Sequence, residues 1–219
     1  MLSSEDNSLK RSFCFSEKLF SRIKSVYESE EKSSLNQEEK MLLHNTYDGF
    51  IRSGANLSEK QKERFRELSS ELSILTLKFS QNNLKEKNSY ELPLTSEQLE
   101  GLPESAMAAY AQTAKEKGKE NYIVTLDAPS YIPFMKYCKN RELREQLHRA
   151  YNTQCTHDNE YNNLEIVKKL VNLRLERAQL LGFETAADYV LSKRMAANSN
   201  NVYQLLNQLL EIFSFLFLG

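Results

Sequence analysis

The sequence predicts a mainly α protein, a multi-helix array with long antiparallel helices and one small two-stranded β element. Helix-breaking residues are scarce: the chain holds 6 Gly and 4 Pro among 219 residues, less than half of the roughly 12% that average usage gives. Apolar residues recur at spacings of three and four over most of the chain, as in amphipathic helices. Strict alternation, which indicates strands, occurs only twice. We expect a single helical region over residues 1–219, with a candidate internal hinge at 152–159.

Two amphipathic helices open the chain. The first follows Ser16, and the second follows Asn36, whose partner Glu39 stands at the capping-box position. Gly54 can adopt the left-handed conformation that ends a helix, so the second helix should stop there. The apolar positions of the two helices are Leu19, Ile23, Val26 and Tyr27, then Leu43, Tyr47, Phe50 and Ile51.

The longest predicted helix begins at Ser58, with Gln61 at its capping position, and runs to about Lys87. Its apolar stripe is formed by Phe65, Leu68, Leu72, Leu75 and Phe79. A self-sufficient coiled coil needs three or four sustained heptads, and this pattern holds for only two. The stripe therefore predicts packing against the protein's own core.

Two short strands follow, on either side of a helix from Pro103 to Lys117 that Gly118 ends. Their alternating apolar residues are Tyr90, Leu92 and Leu94 in the first strand and Tyr122, Val124 and Leu126 in the second. Pro93 cannot donate a ladder hydrogen bond, which restricts its strand to an edge or an end of a sheet. We expect a strand pair embedded among helices.

The second half of the chain should be helical again. A short helix runs from Asp127 through Cys138, Asn140 caps the next, and the polar stretch 152–159 is the most loop-like part of the chain. The apolar face of the helix capped by Asn140 is formed by Leu143, Leu147, Ala150 and Tyr151. The helix after the loop carries Leu164, Val167, Val171, Ala178 and Leu181 at helical spacing.

The chain closes with a helical hairpin and a last helix. In the hairpin, the first helix ends at Gly182, and Thr185 caps the second with Asp188 at the capping position. The last helix should open at Val202 and end in an apolar tail, residues 212–219. Eight residues are too few to span a bilayer, which takes about 20. The tail should fold back into the core or bind another copy of the chain.

The charge balance excludes several partners. The 29 basic and 30 acidic residues are mixed along the chain, so no charged block would attract nucleic acid or anionic lipid. Cys14, Cys138 and Cys155 are too few and too far apart for a disulfide framework or a zinc ribbon. The first eight residues lack the basic and apolar segments of a signal peptide. We expect a cytoplasmic protein with neither nucleic acid nor membrane as a partner.

Five potential metal ligands lie close together in the sequence: His148, Cys155, His157, Asp158 and Glu160. Their spacing matches no closed four-ligand pattern, and such residues are common in polar loops. For His148 an exposed helix position, and for His44 a partly exposed one, is the simpler expectation. No arrangement for nucleophilic catalysis is legible either. The sequence thus predicts no catalytic and no metal-binding residue, and it identifies no substrate-binding residue.

Several stretches nevertheless resemble one family. Leu173–Met195 resembles the Leu-Arg-Leu-Glu-Arg-Ala…Leu-Leu-Gly-Phe…Tyr-Val-Leu…Arg-Met signature of the M3 zinc peptidases, the thimet oligopeptidase-like family, and in particular of its bacterial peptidyl-dipeptidases. Further matching stretches begin at Thr46, Leu68, Phe79, Leu102, Pro129 and Asn140. Together they cover the chain from the Ser16 helix to about Glu211.

The resemblance implies two helical lobes divided by a channel, with a zinc ion held by a His-Glu-x-x-His helix for the hydrolysis of oligopeptides. Two His at i and i+4 bind the metal, and the Glu activates its water. None of the three His here precedes a Glu. We therefore expect a truncated fragment of the non-catalytic lobe, without zinc of its own and inactive alone. The alternative is a stand-alone helical module that binds peptides, or that pairs with itself through the apolar tail.

Overall fold

The computed structural model describes residues 17–218, with side chains described as far as residue 214. The described chain folds into α-helices joined by turns, two short 3-10 segments and one two-stranded sheet, which confirms the predicted fold class. It divides into two compact units, residues 1–72 with 171–219 and residues 73–170. Within the described range, none of the helices combines the length and the apolar character needed to cross a membrane.

In the first unit, α1 (Glu17–Glu28) and α2 (Gln37–Arg52) form an antiparallel pair. The ring of Tyr27 stacks on that of Tyr47 with centroids 4.1 Å apart, and Phe20 stacks on Phe50 at 5.7 Å. A residue near the start of α1 thus contacts a residue near the end of α2, which confirms that the two helices are antiparallel. The predicted cap Ser16 lies outside the described residues.

The predicted start of α2 is confirmed in atomic detail. The side chain of Asn36 accepts from the backbone N–H of Glu39 at 2.9 Å, and the carboxylate of Glu39 accepts from the backbone N–H of Asn36, also at 2.9 Å. Two donors that a helix leaves unpaired at its start are thereby satisfied. Gly54 follows the helix with φ +86°, as predicted.

The longest helix, α3 (Glu59–Ser89), contributes to both units. Along the predicted stripe, Phe65, Leu68 and Leu72 are buried, and Leu75 and Phe79 are half-buried. The stripe therefore faces the core, as its spacing indicates. In the first unit, the guanidinium of Arg64 on α3 donates to both carboxylate oxygens of Glu176, at 2.7 and 2.9 Å.

Glu176 lies on α7 (Leu164–Leu180), which turns into α8 (Ala186–Leu191). Gly182 takes φ +85° at the turn, and Thr185 accepts from the N–H of Asp188, so the predicted hairpin is confirmed. The buried face of α7 differs from the face that the sequence predicted. Of the five predicted residues, Leu164, Val167 and Val171 are exposed, Leu181 is half-buried, and Ala178 is buried as expected. The other buried apolar residues of α7 are Ile166, Leu170 and Leu173.

The last helix, α9 (Ser199–Leu218), begins three residues before the predicted Val202. The side chain of Asn198 accepts from the N–H of Asn201 at 2.9 Å and so caps the helix. Ser and Asn residues favour loops, but with this cap in place the run of Ser and Asn forms the first turn of α9. Of the predicted tail 212–219, Ile212 is exposed, and the side chains of 215–219 lie outside the described part.

The second unit carries the sheet and the hydrophobic core around it. Strand β1 (Leu92–Leu94) pairs antiparallel with β2 (Tyr122–Val124), Pro93 standing opposite Ile123. The helices of this unit are α4 (Glu104–Glu116), α5 (Ala128–Tyr137) and α6 (Arg141–Asn152), together with parts of α3 and α7. Pro103 precedes α4, one position outside the predicted start. The side chain of Asn140 caps α6, as predicted.

Phe134 lies at the centre of this core. It is 0% exposed, and the ring of Tyr110 meets it edge-on at a centroid distance of 6.4 Å. The hydroxyl of Tyr110 donates to the carbonyl of Ser130 at 2.9 Å, so its polar end is satisfied inside the core. The buried neighbours in the same cluster are Leu92, Leu94, Leu99, Leu102, Ala106, Val124, Leu126, Cys138 and Leu147.

Candidate functional site

The loop at 153–163, between α6 and α7, contains four of the five potential metal ligands, and it is fastened to α3 within the second unit. The backbone N–H of Cys155 donates to the carboxylate of Glu86 on α3. Across the loop, the N–H of Asn163 donates to the carbonyl of Cys155 at 2.8 Å. The predicted hinge at 152–159 coincides with this loop, and it stays a prediction.

A pair of buried amides makes the second attachment of this loop. Asn82 on α3 is 6% exposed and Asn163 is 4% exposed. The amide of Asn82 donates to the side-chain oxygen of Asn163 at 2.9 Å, and the amide of Asn163 donates to the carbonyl of Phe79 at 3.1 Å. Buried polar groups are tolerated when they are paired in this way. The pair fixes the end of the loop against α3.

A cleft of ≈ 320 Å³ lies beside the loop. Its walls are hydroxyl, amide and thiol groups together with aliphatic and aromatic surface, and they contain no charged side chain. The lining residues are Phe79, Asn83, Tyr151, Asn152, Gln154, Cys155, Thr156, Asn163, Leu164 and Val167. Such walls can exchange hydrogen bonds with a neutral polar group such as a peptide amide. They contain no carboxylate or imidazole that could act as a general base.

The thiol of Cys155 is the strongest potential nucleophile in this cleft, but its surroundings lower its reactivity. The residue is 5% exposed. Burial first, and then the nearby side chain of Glu86, raise the pKa of the Cys155 thiol to about 11. The thiolate is the reactive form of cysteine, and reactive cysteines have lowered pKa values. Cys155 is therefore a structural residue of the loop.

This assignment predicts the alkylation pattern of the folded protein. At pH 8, iodoacetamide should modify Cys155 at least about tenfold more slowly in the folded chain than in urea, because the folded chain both buries the thiol and disfavours the thiolate. Peptide mapping by mass spectrometry would separate Cys155 from Cys14 and Cys138. Equal rates of Cys155 modification in the two conditions would contradict the assignment.

The histidines do not converge. The Nδ1 atom of His148 lies 3.3 Å from the hydroxyl of Tyr131, and the Nε2 atom of His157 lies 3.8 Å from a carboxylate oxygen of Glu86. His44 belongs to the other unit and lies 3.4 Å from the hydroxyl of Tyr27. The exposed position expected for His148 is confirmed, whereas His44, for which a partly exposed position was expected, is exposed.

The described residues offer no donor set that fits zinc. Asp158 and Glu160 are exposed, and Cys155 is a buried neutral thiol. Over residues 17–218, no three His, Cys, Asp or Glu side chains come close enough together to hold a metal ion. A zinc site needs three or four such ligands. The five potential ligands are thus neighbours in sequence without forming a site.

Sequence reasoning did not identify Glu86, Asn82 or Asn163, which organise the loop. Their partners lie 69 to 84 residues away, at Cys155, Asn163 and Phe79. Local spacing carries no information on such pairs. The one available signal was the presence of Asn82 near the apolar stripe of α3, where a polar residue must find a partner if it is buried.

The chain is similar to known proteins of one family. Residues 134–215 match the model of peptidase family M3. Oligopeptidase A of Haemophilus influenzae is 38% identical over 178 residues, which is 79% of this chain and 26% of that protein. Oligopeptidase A of Escherichia coli is 35% identical over 198 residues, 88% of this chain and 29% of that protein. Dipeptidyl carboxypeptidase of Escherichia coli is 29% identical over 180 residues, 81% of this chain and 26% of that protein. The chain thus spans about a quarter of the length of these relatives.

Proposed function

This chain belongs to peptidase family M3, and from that membership we propose that it forms a non-catalytic helical portion of an oligopeptide-hydrolysing peptidase. One observation carries the proposal. The chain aligns over most of its length with the two oligopeptidase A proteins, yet its 219 residues lack the His-Glu-x-x-His motif on which zinc hydrolysis depends. In this proposal, the zinc-binding residues of such a peptidase lie outside the segment that aligns with this chain.

The geometry of the second unit supports a binding role more than a chemical one. Its cleft holds neutral amide and hydroxyl groups, and its thiol is held in the neutral form. In the family a bound zinc ion would activate the water for hydrolysis. The donor atoms of the described residues do not form a group that could hold such an ion. The chain's own residues would therefore contact peptide backbone and side chains without taking part in hydrolysis.

The substrate class proposed for the whole protein is the oligopeptide. The two oligopeptidase A proteins are 35% and 38% identical to this chain, and the dipeptidyl carboxypeptidase is 29% identical. Release of dipeptides, the narrower activity implied by the sequence resemblance, stays a prediction that the third relative supports. A cytoplasmic location stays a prediction as well. It is supported by Cys138 and Cys155, which are both buried and free.

The proposal predicts that the purified chain does not hydrolyse peptides. With added zinc, an internally quenched unstructured oligopeptide should remain intact over a period in which Escherichia coli oligopeptidase A, as the positive control, consumes it. The reason is that three dispersed histidines cannot hold a metal-bound water. Zinc-dependent turnover that survives repurification, and that His157→Ala abolishes, would overturn the proposal.

The alternative, a stand-alone helical module that binds peptides or pairs with itself, has a separate test. The genomic sequence after codon 219 should encode His-Glu-x-x-His in one of its frames if the chain is part of a peptidase gene. An intergenic region without that motif would favour the alternative.

A further inference from the structure

A groove of ≈ 390 Å³ lies along α3 within the second unit. It shares no lining residue with the neutral cleft beside the loop 153–163, although two residues of that loop contribute to it. The lining residues are Ile74, Leu77, Lys78, Gln81, Asn82, Lys85, Glu160 and Tyr161. The groove is therefore a second concave surface of this unit, and most of it is formed by consecutive turns of one helix.

Two lysines line this groove without a partner. Lys78 and Lys85 are both exposed, and within the part of the chain that the structure describes neither ammonium group forms an ion pair or a hydrogen bond. Lys87, two residues further along α3, is by contrast paired with Asp127 at 2.6 Å. Positions seven apart on an α-helix lie on nearly the same side, about 10.5 Å apart along the axis. Lys78 and Lys85 thus bring two ammonium groups to the same groove.

One carboxylate opposes this positive charge without cancelling it. Glu160 lines the groove from the loop, next to Tyr161. Hydrogen bonding to Glu160, and then its charge, raise the pKa of the Tyr161 hydroxyl. With two ammonium groups against one carboxylate, the lining keeps a net positive charge at neutral pH. The groove therefore favours an anionic ligand over a cationic one.

The end of the groove nearer the start of α3 is apolar. Ile74 is 64% exposed and Leu77 is 59% exposed, whereas Gln81, between the two lysines, is an exposed amide residue. An inorganic anion would leave the apolar end uncovered, and an apolar compound would leave the ammonium groups unpaired. A peptide with both acidic and apolar side chains can meet both ends, and its backbone can exchange hydrogen bonds with the amide of Gln81.

We infer that this groove binds an extended peptide segment in which acidic residues lie close to an apolar one, the carboxylates pairing with the two lysines and the apolar side chain lying on Leu77. An extended chain advances about 3.3 Å per residue, and side chains two apart point to the same side. Acidic residues two apart, about 6.6 Å, fit within the ~10.5 Å between the lysines. The inference rests on the proposed function, because it names the kind of oligopeptide that this part of the protein contacts.

Peptide binding measured by fluorescence anisotropy tests the inference. The probe is a labelled peptide of sequence Leu-Ser-Glu-Ser-Glu-Ser-Leu, which reads the same in both directions, and the full chain is titrated into it at low salt. An exposed ion pair contributes up to about fivefold in affinity. A second probe with Gln in place of both Glu should therefore bind about fivefold more weakly or worse. A third probe with Ser in place of both Leu should also bind more weakly, and added salt should weaken binding of the acidic probe.

Variants of the chain locate the binding site. The double variant Lys78→Gln, Lys85→Gln should bind the acidic probe about fivefold more weakly or worse, and should no longer distinguish it from the Gln probe. Lys115→Gln is the matched control. Lys115 is exposed on α4 in the same unit and does not line the groove, so its loss should change the affinity by less than about 1.5-fold. Gln and Lys have similar helix propensity, so circular dichroism should show equal helix content.

Several results would overturn the inference. One is an acidic probe that does not bind, or that binds no more tightly than the Gln probe or to the double variant. Another is displacement by an equal concentration of inorganic phosphate without any effect of the Leu-to-Ser change, which would identify a site for simple anions. A dimer of the chain that dissociates in the double variant would identify a second copy as the occupant. The proposed function fails on a different reading, hydrolysis of the probe by the chain with added zinc, so the two failures are distinguishable.

Discussion

Replacing Phe134 by alanine is expected to lower the free energy of unfolding by about 3–5 kcal/mol, the range measured for large-to-small changes of buried aromatic residues. Phe134 is 0% exposed in the core of the second unit, and it supplies the ring against which Tyr110 packs edge-on. The substitution removes this contact and leaves a cavity that the surrounding helices fill only in part. Urea denaturation followed by circular dichroism would measure the change.

Ile132→Ala is the matched control for this experiment. Ile132 lies in the same helix, α5, and is 58% exposed. Its truncation should change the free energy of unfolding by less than about 1 kcal/mol, because little apolar area returns to water. A loss at Phe134 no larger than the loss at Ile132 would show that the core of the second unit is not organised around Phe134.

What could be predicted from the sequence was local in physical origin. The cap at Asn36 with Glu39, the turn at Gly182 and the cap at Thr185 with Asp188 each depend on residues within four positions. Such contacts can be read from spacing because the helix fixes the geometry of near neighbours. The inward direction of the α3 stripe followed for the same reason.

The parts that sequence did not predict depend on contacts between distant residues. Leu164, Val167 and Val171 have helical spacing, but so do Ile166, Leu170 and Leu173, and only the second set is buried. An apolar helix with two candidate faces does not reveal which one its neighbours cover. The early start of α9 at Ser199 depends on Asn198, whose capping competes with a loop conformation of the same polar run.

The candidate site shows the same division. The loop 153–163 contains four potential metal ligands, although their spacing predicted no metal site. The structure attaches this loop to α3 through the backbone N–H of Cys155, which donates to Glu86, and through the side chain of Asn163, which accepts from Asn82. The positions of these potential ligands in the sequence show that they are neighbours along the chain, but not whether their side chains converge on one point. The resemblance to the family could be read from the sequence, because it rests on several matching stretches that occur in the right order and not on the geometry of one site.

The buried amide pair permits a sharper test, because it can be converted into a repulsive one without a change of size. Asn82→Asp replaces the amide that donates to Asn163 by a group that, when ionised, only accepts. Two oxygens would then face each other at a position 6% exposed to solvent. At pH 7 we expect a loss of about 3 kcal/mol in the free energy of unfolding, from the unsatisfied and charged buried group. Urea denaturation at several pH values would measure it.

The pH dependence of this loss identifies its cause. Burial and the facing oxygen would raise the pKa of the introduced carboxyl in the folded state. At low pH the carboxyl is protonated in both states and can donate to Asn163, so the loss is smallest there. As the pH rises above the ordinary range of a carboxyl, the unfolded chain ionises more readily than the folded one, and the loss grows towards its value at pH 7. Asn83→Asp, at the exposed neighbouring position, should show neither the loss nor its pH dependence. A loss at Asn82 that is the same at pH 4.5 and pH 7 would mean that the amide pair does not hold the loop against α3 in the way the structure indicates.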